Sequence, residues 1–532
     1  MLARLLLGTD PKQRAFRVAL LVVTLGGLGL RLFNFALRPP SLWQDEAYWA
    51  VNTLKFAAVD AQIRPLGFML TTQGLLHVLG PAAWVYRLLP FLGSIVSMAL
   101  MPYVALRSFD SPWSRLLAVL LLAVSPVALE MAAEFKHYGV EVGVYVGLLA
   151  ALLNYRERRT RLSLALLLGV AWVSFFYSIT VIFVYPAVFG LLLWESWRTK
   201  GWRRLTASAA VALVCLGTIT TVYFTTWRTI KANRAENKWG TWYDVFYLKN
   251  GLKTKYDSRL TWSTAKYFEL AATPGVGRVL WKSEHISAPK LEHAKNVDWA
   301  AWSALHLAGI AWLVRKRRIW QLAVLWSPLL FVTGFNLAGR WPAGAFRTNT
   351  FYVPFAILLA AGAFDWLSQQ PGESTENARR WLRWLAPCCA ALLLLPTVYF
   401  HPGLTEKGLW AKPGRFTEAM RLLPSSPPKQ ERRLIMDFES CRPWDYYTVY
   451  DKPSADVGPA LRRTYPKTCI RNGKKIAAEM AKLNRRKNSF WMLLTDYRKF
   501  DGILENVPRY CSKSDVQWVE PRRHLLIRCV NR

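Results

Sequence analysis

The feature that most limits the fold of this chain is a series of apolar runs separated by short basic segments. A helix of about 20 apolar residues crosses the hydrocarbon core of a bilayer, whereas runs of about 10–14 more often lie at its surface. By this criterion we predict eleven spans, at residues 16–36, 87–106, 115–133, 138–155, 161–177, 178–194, 205–225, 298–314, 319–336, 350–366 and 381–400. The run from Leu66 to Leu79 is shorter and ends at Gly80-Pro81, which predicts a juxtamembrane helix. The chain is therefore predicted to be an α-helical polytopic membrane protein.

The composition points to the same class of protein. Hydrophobic residues make up 53% of the chain and charged residues only 19%, whereas a soluble domain has about a quarter charged residues. The net charge of +35 raises the question of a nucleic-acid partner. The basic residues, however, lie in short clusters between apolar runs and no nucleic-acid-binding motif accompanies them, so we expect no such partner. The apolar run Val18–Leu30 is followed by no small-residue cleavage site, which favours a retained span over a signal peptide.

The basic residues also predict an orientation, because they fall on one side of the predicted spans. They are Arg14 and Arg17; Arg107 and Arg115; Arg156, Arg158, Arg159 and Arg161; Arg198, Lys200, Arg203 and Arg204; Arg315, Lys316, Arg317 and Arg318; and Arg379, Arg380 and Arg383. Lys and Arg are enriched in cytoplasmic loops, so this side is predicted to be cytoplasmic. An odd number of spans then places residues 37–86, the short turn around Glu134, residues 226–297 and everything after 400 outside. We expect a multi-pass protein of the inner (cytoplasmic) membrane whose external face is periplasmic.

The chain is predicted to contain two domains. Residues 1–400 form the transmembrane module, with external loops 37–86 and 226–297. After Pro402 short strand-like apolar runs start at Arg433, Phe490 and His524, and residues 476–483 have a helical pattern. We predict that residues 401–532 form a small extracytoplasmic α/β domain.

Four cysteines lie in this C-terminal region, at Cys441, Cys469, Cys511 and Cys529. An even number of cysteines in an extracytoplasmic domain suits an oxidising compartment. At least one disulfide is therefore expected, and the three possible pairings remain open.

An acidic pair, Asp45 and Glu46, directly follows the first predicted span. Carboxylates beside lipid are costly unless they bind or react with something, so they indicate a functional site. The alternative is a solvated helix N-terminus, where the helix dipole favours acidic side chains.

Basic residues on the predicted external face are exceptions to the charge bias. Arg64 lies in the first external loop, Lys136 and His137 lie beside Glu134, and Arg340 and Arg347 lie in a late external turn. An arginine at a water–lipid edge is suited to binding a phosphate through two hydrogen bonds. The alternative is that these side chains reach toward lipid headgroups.

At this point the sequence resembles a known family. Trp43-Gln-Asp45-Glu46-Ala resembles the Asp-Glu motif in the first external loop of the GT-C superfamily, which are integral-membrane glycosyltransferases of the protein-mannosyltransferase, aminoarabinose-transferase and lipid A core galacturonosyltransferase-like type. Ala133-Glu134-Phe-Lys136-His-Tyr138 is similar to the family's Glu-Ala-Arg-x-Tyr stretch, with Lys for Arg. Further motifs follow in the family's order, at Arg64-Pro65-Leu66, Gly80, Arg87-Leu-Leu-Pro90 and Phe346–Pro354. The resemblance covers residues 16–366, and it departs from the family where Ile63-Arg64 stands for His-Pro.

The resemblance implies inverting transfer of a sugar from a polyprenyl-phosphate donor to an acceptor hydroxyl of a lipid, glycan or protein on the external face. It implies Asp45 as the general base, with Glu46 or Glu134 orienting it or binding a metal. Arg64, Lys136, Arg347 and Arg340 would bind the donor phosphate, and His137 and Tyr138 would contact substrate. A divalent cation, held by Asp45 and Glu134, stays open. No nucleotide cofactor is expected, because the chain has no nucleotide-binding glycine loop.

Two other classes of function were weighed. A transporter or flippase would place polar residues at the bilayer midplane, often in two related halves. Here the acidic and basic residues cluster at one face and no internal repeat is found. A structural membrane subunit that presents residues 401–532 is the third alternative.

Overall fold

The computed structural model describes residues 11–37, 42, 44–55, 64–237, 248, 258–275, 289–344, 347–368, 416–424, 427–449, 458–465, 467–470, 473–485, 488–494, 507–511, 513–520 and 524–531. The chain divides into two compact units. The membrane unit comprises Met1–Leu37, Ala58–Met69 and Arg87–Leu409, and the C-terminal unit comprises Arg38–Ala57, Leu70–Tyr86 and Trp410–Arg532.

The helices are numbered here in chain order. They are α1 Pro11–Leu37, α2 Gln44–Leu54, α3 Leu66–Leu79, α4 Ala83–Ser108, α5 Pro112–Val124, α6 Pro126–Ala132, α7 Tyr138–Arg158, α8 Arg161–Tyr177, α9 Tyr185–Arg198, α10 Trp202–Asn237, α11 Arg259–Ala271, α12 Pro289–Arg315, α13 Ile319–Leu337, α14 Val353–Ser368, α15 Phe416–Arg421, α16 Phe438–Val449, α17 Gly458–Thr464, α18 Gly473–Arg485 and α19 Val507–Tyr510. The 3₁₀ helices Ile179–Phe183 and Arg347–Tyr352 precede α9 and α14.

The helices confirm a polytopic α-helical membrane fold. Among the described residues, six helices are long and apolar enough to cross a bilayer. They contain Arg14–Leu37, Ala83–Ser108, Tyr138–Arg158, Trp202–Val222, Asn296–Arg315 and Ile319–Leu337. Leu66–Leu79 is a short apolar helix, as predicted. Arg161–Tyr177, which was predicted to be a span, is also one of the shorter apolar helices, so its crossing of the bilayer stays a prediction. The predicted spans 178–194 and 350–366 each begin as a 3₁₀ helix, and the predicted span 381–400 lies outside the described residues, so the total of eleven stays a prediction.

One predicted span is not continuous. The helix expected at 115–133 is broken into α5 and α6, which are bent by 48° at Ser125. Pro126 has no N–H to continue the helical hydrogen bonds, and the Ser125 hydroxyl instead accepts a hydrogen bond from the Ala128 amide at 3.4 Å. The break falls before Pro126 because a proline at the first position of a new helix is favourable, and a single crossing by this bent pair stays a prediction.

Glycines allow two pairs of helices to touch through their backbones. A Cβ on Gly143 of α7 would lie 2.3 Å from the carbonyl oxygen of Gly93 on α4, and one on Gly139 would lie 2.9 Å from that of Pro90. On α12, a Cβ on Gly309 would lie 1.9 Å from the Leu359 oxygen of α14. Small residues at such crossings favour association of membrane helices by close packing.

Ion pairs join the helix ends at one end of the membrane unit. Arg107 pairs with Glu157, Arg156 pairs with Glu195, and Arg318 pairs with Asp110 at 2.8 Å. At the same end Asp365 of α14 accepts hydrogen bonds from the Asp110 and Ser111 amides, at 3.1 and 2.7 Å. Three of the predicted cytoplasmic basic clusters therefore meet at a common end, while its assignment to the cytoplasm stays a prediction.

The C-terminal unit contains a five-stranded sheet, which confirms the predicted α/β class. Its strands are β1 Leu434–Asp437, β2 Lys467–Ile470, β3 Phe490–Leu494, β4 Lys513–Glu520 and β5 His524–Val530. The order is β2-β1-β3-β5-β4, with β2, β1 and β3 parallel and β3, β5 and β4 antiparallel. The predicted boundary at residue 400 lies outside the described residues. Two segments of the first predicted external loop belong to this unit, which the sequence did not lead us to expect.

Two disulfides confirm the prediction from the four cysteines. Cys441 is bonded to Cys469, and Cys511 is bonded to Cys529. The first bridge joins α16 to β2, and the second joins the residue after α19 to β5.

Candidate active site

Four of the predicted site residues lie in the short turn between α6 and α7 and at the first position of α7. The Ala133 amide donates to the Glu130 oxygen at 3.2 Å, and the Lys136 amide donates to the Glu134 oxygen at 2.7 Å. The Glu141 amide then donates to the His137 oxygen at 2.9 Å, which starts α7. The turn lies at the end of α7 opposite to Glu157, and so at the opposite end of the membrane unit from the ion pairs.

The ionisable side chains of this turn are buried. Glu134 is 4% exposed, Lys136 is 3% exposed and His137 is 9% exposed. Tyr138 is buried as well. Burying a charge is costly unless it is paired or hydrogen-bonded, so a turn that buries three ionisable groups is a candidate functional site.

The segment that carries Arg64 packs against this turn. The ring of Phe68 stacks on Phe135 with centroids 5.7 Å apart and meets the edge of His137 at 6.4 Å. A Cβ on Gly67 would lie 2.8 Å from the Phe176 oxygen, so the start of α3 also touches the end of α8. Arg64 is itself only 2% exposed. The structure therefore brings together the segments of Arg64 and of Glu134 to Tyr138.

Glu141, one turn into α7, belongs to the same cluster and was not among the predicted site residues. Its Oε1 accepts hydrogen bonds from the hydroxyls of Ser178 at 3.1 Å and Thr180 at 2.9 Å. The Nε2 of His137 lies 3.6 Å from the same oxygen. The partners come from the 3₁₀ helix and its cap, where the sequence shows only an ordinary Ser-Ile-Thr. The single available signal was a carboxylate inside an apolar run.

Arg31 and Asn34 of α1 hold the bend between α5 and α6, and both also escaped the sequence analysis. The Arg31 guanidinium donates to the main-chain oxygens of Leu122 at 2.9 Å and Ala123 at 3.3 Å, and to the Ser94 hydroxyl at 2.8 Å. The Asn34 amide donates to the Leu129 oxygen. The Arg31 bonds satisfy carbonyls that the last turn of α5 would otherwise leave without a partner, and the Asn34 bond does the same for a carbonyl of α6. A cation at the C-terminus of α5 also favourably meets the helix dipole.

A helix of the second predicted external loop is joined to the membrane helices by polar contacts. Nδ1 of His306 on α12 lies 2.7 Å from the hydroxyl of Tyr267 on α11, and Nε2 lies 2.7 Å from that of Tyr352. Burial raises the pKa of Tyr267, so the phenol stays protonated and keeps its hydrogen bond. After α11, the Pro274 oxygen accepts a hydrogen bond from the Ser125 hydroxyl at 2.9 Å. Loop 226–297 therefore contributes an ordered helix that reaches the bend before the acidic turn.

Asn349 organises the late turn that was predicted to be external. Its side chain donates to the oxygens of Pro342 and Gly344 at 3.1 and 2.9 Å and accepts from the Trp341 indole at 2.9 Å. Trp341 in turn packs on Phe183, next to the Glu141 partners, with centroids 5.2 Å apart. The Arg340 side chain is exposed. The Arg347 side chain lies outside the described part of the chain.

Asp45 and Glu46 lie in the C-terminal unit, in the first turn of α2. Asp45 is half-buried, whereas Glu46 is 1% exposed. Their position at a helix N-terminus is the one that the dipole interpretation predicts. The burial of Glu46 is not what a merely solvated helix end would show.

A metal site was tested on the donor set. Among the residues that the structure describes, no group of three or more His, Cys, Asp or Glu side chains is arranged to hold a metal ion. Asp45 and Glu134, the suggested ligands, belong to different units. No step of the reaction proposed below is therefore routed through a metal.

Comparison with known proteins gives structural neighbours only. No protein-family model matches the chain, and no curated protein sequence matches it. The chain is similar in structure to ArnT from Cupriavidus metallidurans in the apo state, at 14% identity over 96% of this chain and 97% of that one, with a TM-score of 0.47. A structure of the same ArnT bound to undecaprenyl phosphate matches at 14% identity over 98% of both chains, with a TM-score of 0.44.

A second neighbour is the archaeal oligosaccharyltransferase AglB from Archaeoglobus fulgidus in complex with an inhibitory peptide and a dolichol-phosphate. It matches at 12% identity over 92% of this chain and 70% of that one, with a TM-score of 0.47. ArnT and AglB are GT-C superfamily glycosyltransferases, the superfamily that the sequence motifs resemble. At these identities and TM-scores the likeness carries no information about the reaction, which has to be argued from the residues of this chain.

Proposed function

We propose that this protein is a membrane glycosyltransferase that moves a sugar from a polyprenyl-phosphate donor to an acceptor hydroxyl on the extracytoplasmic face. The observation that supports it most is the cluster of buried ionisable groups, Arg64, Glu134, Lys136, His137 and Glu141, in a membrane unit. Burying ionisable groups within a membrane protein costs free energy, so such groups usually mark sites of function. The cluster combines acids with cations, as transfer from a phosphate requires.

The proposed reaction is a single displacement. The acceptor oxygen attacks the anomeric carbon while the bond from that carbon to the phosphate oxygen breaks, and the acceptor proton passes to a carboxylate. Negative charge then builds on the departing polyprenyl phosphate. Preorganised cations stabilise such a charge strongly in a site of low dielectric constant. Arg64, Lys136 and Arg347 have this role in the proposal, and Arg340 adds to the positive field.

Asp45 is the proposed general base, and Glu46 and Glu134 are the proposed orienting acids. His137 and Tyr138 are proposed to contact substrate. The acceptor is a lipid, a glycan or a protein. Asp45 lies in the first turn of α2, and general bases contribute on the order of 10²–10⁴-fold in rate.

The test is transfer of a radiolabelled sugar from a polyprenyl-phosphate donor in membranes that contain the protein and an acceptor extract. Asp45→Asn and Glu134→Gln should both retain expression and thermal stability. Both should transfer sugar more slowly, and the rate of Asp45→Asn should fall by at least about 10²-fold. Glu157→Gln is the matched control, because it neutralises a carboxylate at the other end of α7. It should transfer sugar at the wild-type rate.

Two results would overturn the proposal. One is a wild-type rate in both Asp45→Asn and Glu134→Gln. The other is movement of intact donor across the membrane without sugar transfer, which is the behaviour of a flippase.

A further inference from the structure

Helix α16 of the C-terminal unit is bound to the chain just before the acidic pair. The hydroxyl of Tyr447 accepts a hydrogen bond from the Leu42 amide at 2.6 Å and donates one to the Leu42 oxygen at 2.9 Å. A phenol can do both because it is a donor and an acceptor. Tyr447 and Leu42 are both buried. Leu42 precedes Asp45 by only three residues, so the hydroxyl fixes the chain where it enters α2.

Other contacts within the C-terminal unit support the same attachment. Helix α2 packs against α16, and the far end of α2 is held by the Gln73 side chain, which donates to the Thr53 oxygen at 2.7 Å. The ring of Tyr447 stacks on Phe416 at 6.0 Å and meets Tyr446 edge-on at 5.0 Å. Helix α2 is thus held at both ends, with Asp45 and Glu46 in its first turn.

A disulfide joins α16 to the sheet. Cys441 in its first turn is bonded to Cys469 of β2. Cys469 is exposed. Cys511 and Cys529 of the second bridge are both buried. A reductant in solution therefore reaches the bridge of α16 more readily than the other one.

We propose that Tyr447 is a positioning residue for Asp45 and Glu46, and that the Cys441–Cys469 bridge makes this positioning sensitive to reduction. The role of the two acids rests on the function proposed above. A dithiol would break the S–S bond by giving it two electrons and two protons, and would itself become a cyclic disulfide. Two free thiols no longer tie α16 to β2, so the Tyr447 hydroxyl loses its fixed place at Leu42.

The first test removes only the hydroxyl, in Tyr447→Phe. The ring packing remains, so the protein should fold with little change in thermal stability. The rate of hydrogen exchange of the Leu42 amide and of the α2 amides should rise. The kcat for sugar transfer should fall about tenfold to a hundredfold, because a small misplacement of a reacting group lowers the rate by this much. The KM for the donor should stay nearly unchanged. Tyr465→Phe is the matched control. It loses a hydroxyl bond of 2.9 Å to the Pro424 oxygen, which is in the same unit and is not a residue of the first loop.

The second test removes each bridge. Cys441→Ala/Cys469→Ala should reproduce the exchange and rate changes of Tyr447→Phe, whereas Cys511→Ala/Cys529→Ala should leave α2 exchange at the wild-type level. Brief treatment of the wild-type protein with a dithiol should act like the first pair, and reoxidation should reverse it.

Unchanged exchange at Leu42 and α2 in Tyr447→Phe would overturn the proposal, as would equal effects of the two cysteine pairs. These exchange measurements need no enzyme activity. If the wild-type protein transfers no sugar, the proposed function is wrong. The hydrogen-exchange measurements would still decide whether α16 positions α2.

Discussion

The guanidinium of Arg31 donates to the main-chain oxygen of Leu122 at 2.9 Å, across 91 residues of sequence. This bond and its neighbours join the first membrane helix to the broken end of α5. They fix the direction in which α6 leaves, and therefore the place of the acidic turn at its end.

The first prediction concerns this arginine. Arg31→Met should lower the melting temperature in detergent, because it leaves buried carbonyls and the Ser94 hydroxyl without donors, and each such loss costs about 1–3 kcal/mol. Arg31→Lys should recover part of the loss, since a single ammonium group cannot match the fork of five donors. Arg161→Met removes an exposed arginine and should melt like the wild type. A wild-type melting temperature in Arg31→Met would contradict the structural role.

The second prediction separates shape from charge at Glu141. Glu141→Gln keeps an oxygen that can accept from Ser178 and Thr180, so its melting temperature should stay close to that of the wild type. Glu141→Ala removes the acceptor and leaves a cavity, which should lower the melting temperature clearly. The measurement is thermal unfolding of both variants beside Glu157→Gln. Equal stability of the Ala and Gln variants would show that the hydroxyl bonds to Glu141 do not stabilise the fold.

The third prediction concerns Arg64 and the donor. Arg64→Ala should weaken binding of a polyprenyl phosphate by roughly 10- to 100-fold, the equivalent of losing a hydrogen bond to a charged group of about 1.5–3 kcal/mol. Arg64→Lys should restore binding in part. Affinity is measured on purified protein, with the melting temperature as a check on folding. Unchanged affinity in Arg64→Ala would contradict a role in donor binding and favour the alternative that Arg64 reaches toward lipid headgroups.

The fourth prediction is the orientation. Single cysteines are placed at Lys316, which is exposed at the ion-paired end, and at Tyr450, in a background with Cys215, Cys388 and Cys389 replaced by Ala. A membrane-impermeant maleimide should label Tyr450→Cys in spheroplasts, whereas Lys316→Cys should react only after the membrane is opened. The reverse pattern would invert the whole assignment of sides.

Much of the fold could be predicted from the sequence because it depends on local composition. Apolar runs of bilayer length predict spanning helices wherever they occur, and six such helices are present in the described part of the chain. The basic clusters between the runs meet at one end through Arg107, Arg156 and Arg318, as their shared charge bias predicted. Four cysteines after the last span predicted disulfides. In the C-terminal unit, β2 and β4 were missed because their polar, partly exposed residues lack an apolar run.

The sequence alone determined the membrane class of this protein, the gathering of its basic clusters at one end of the membrane helices and the presence of disulfides near the C-terminus, because periodicity, composition and charge are properties of neighbouring residues. The tertiary structure alone decided that α5 and α6 are bent apart, that Ser178 and Thr180 bind Glu141, and that Tyr447 binds Leu42 across 405 residues. Such bonds depend on where a hydroxyl or a guanidinium meets a buried partner from a distant segment. The spacing of residues along the chain does not predict such contacts, since the partners become neighbours only when the helices pack.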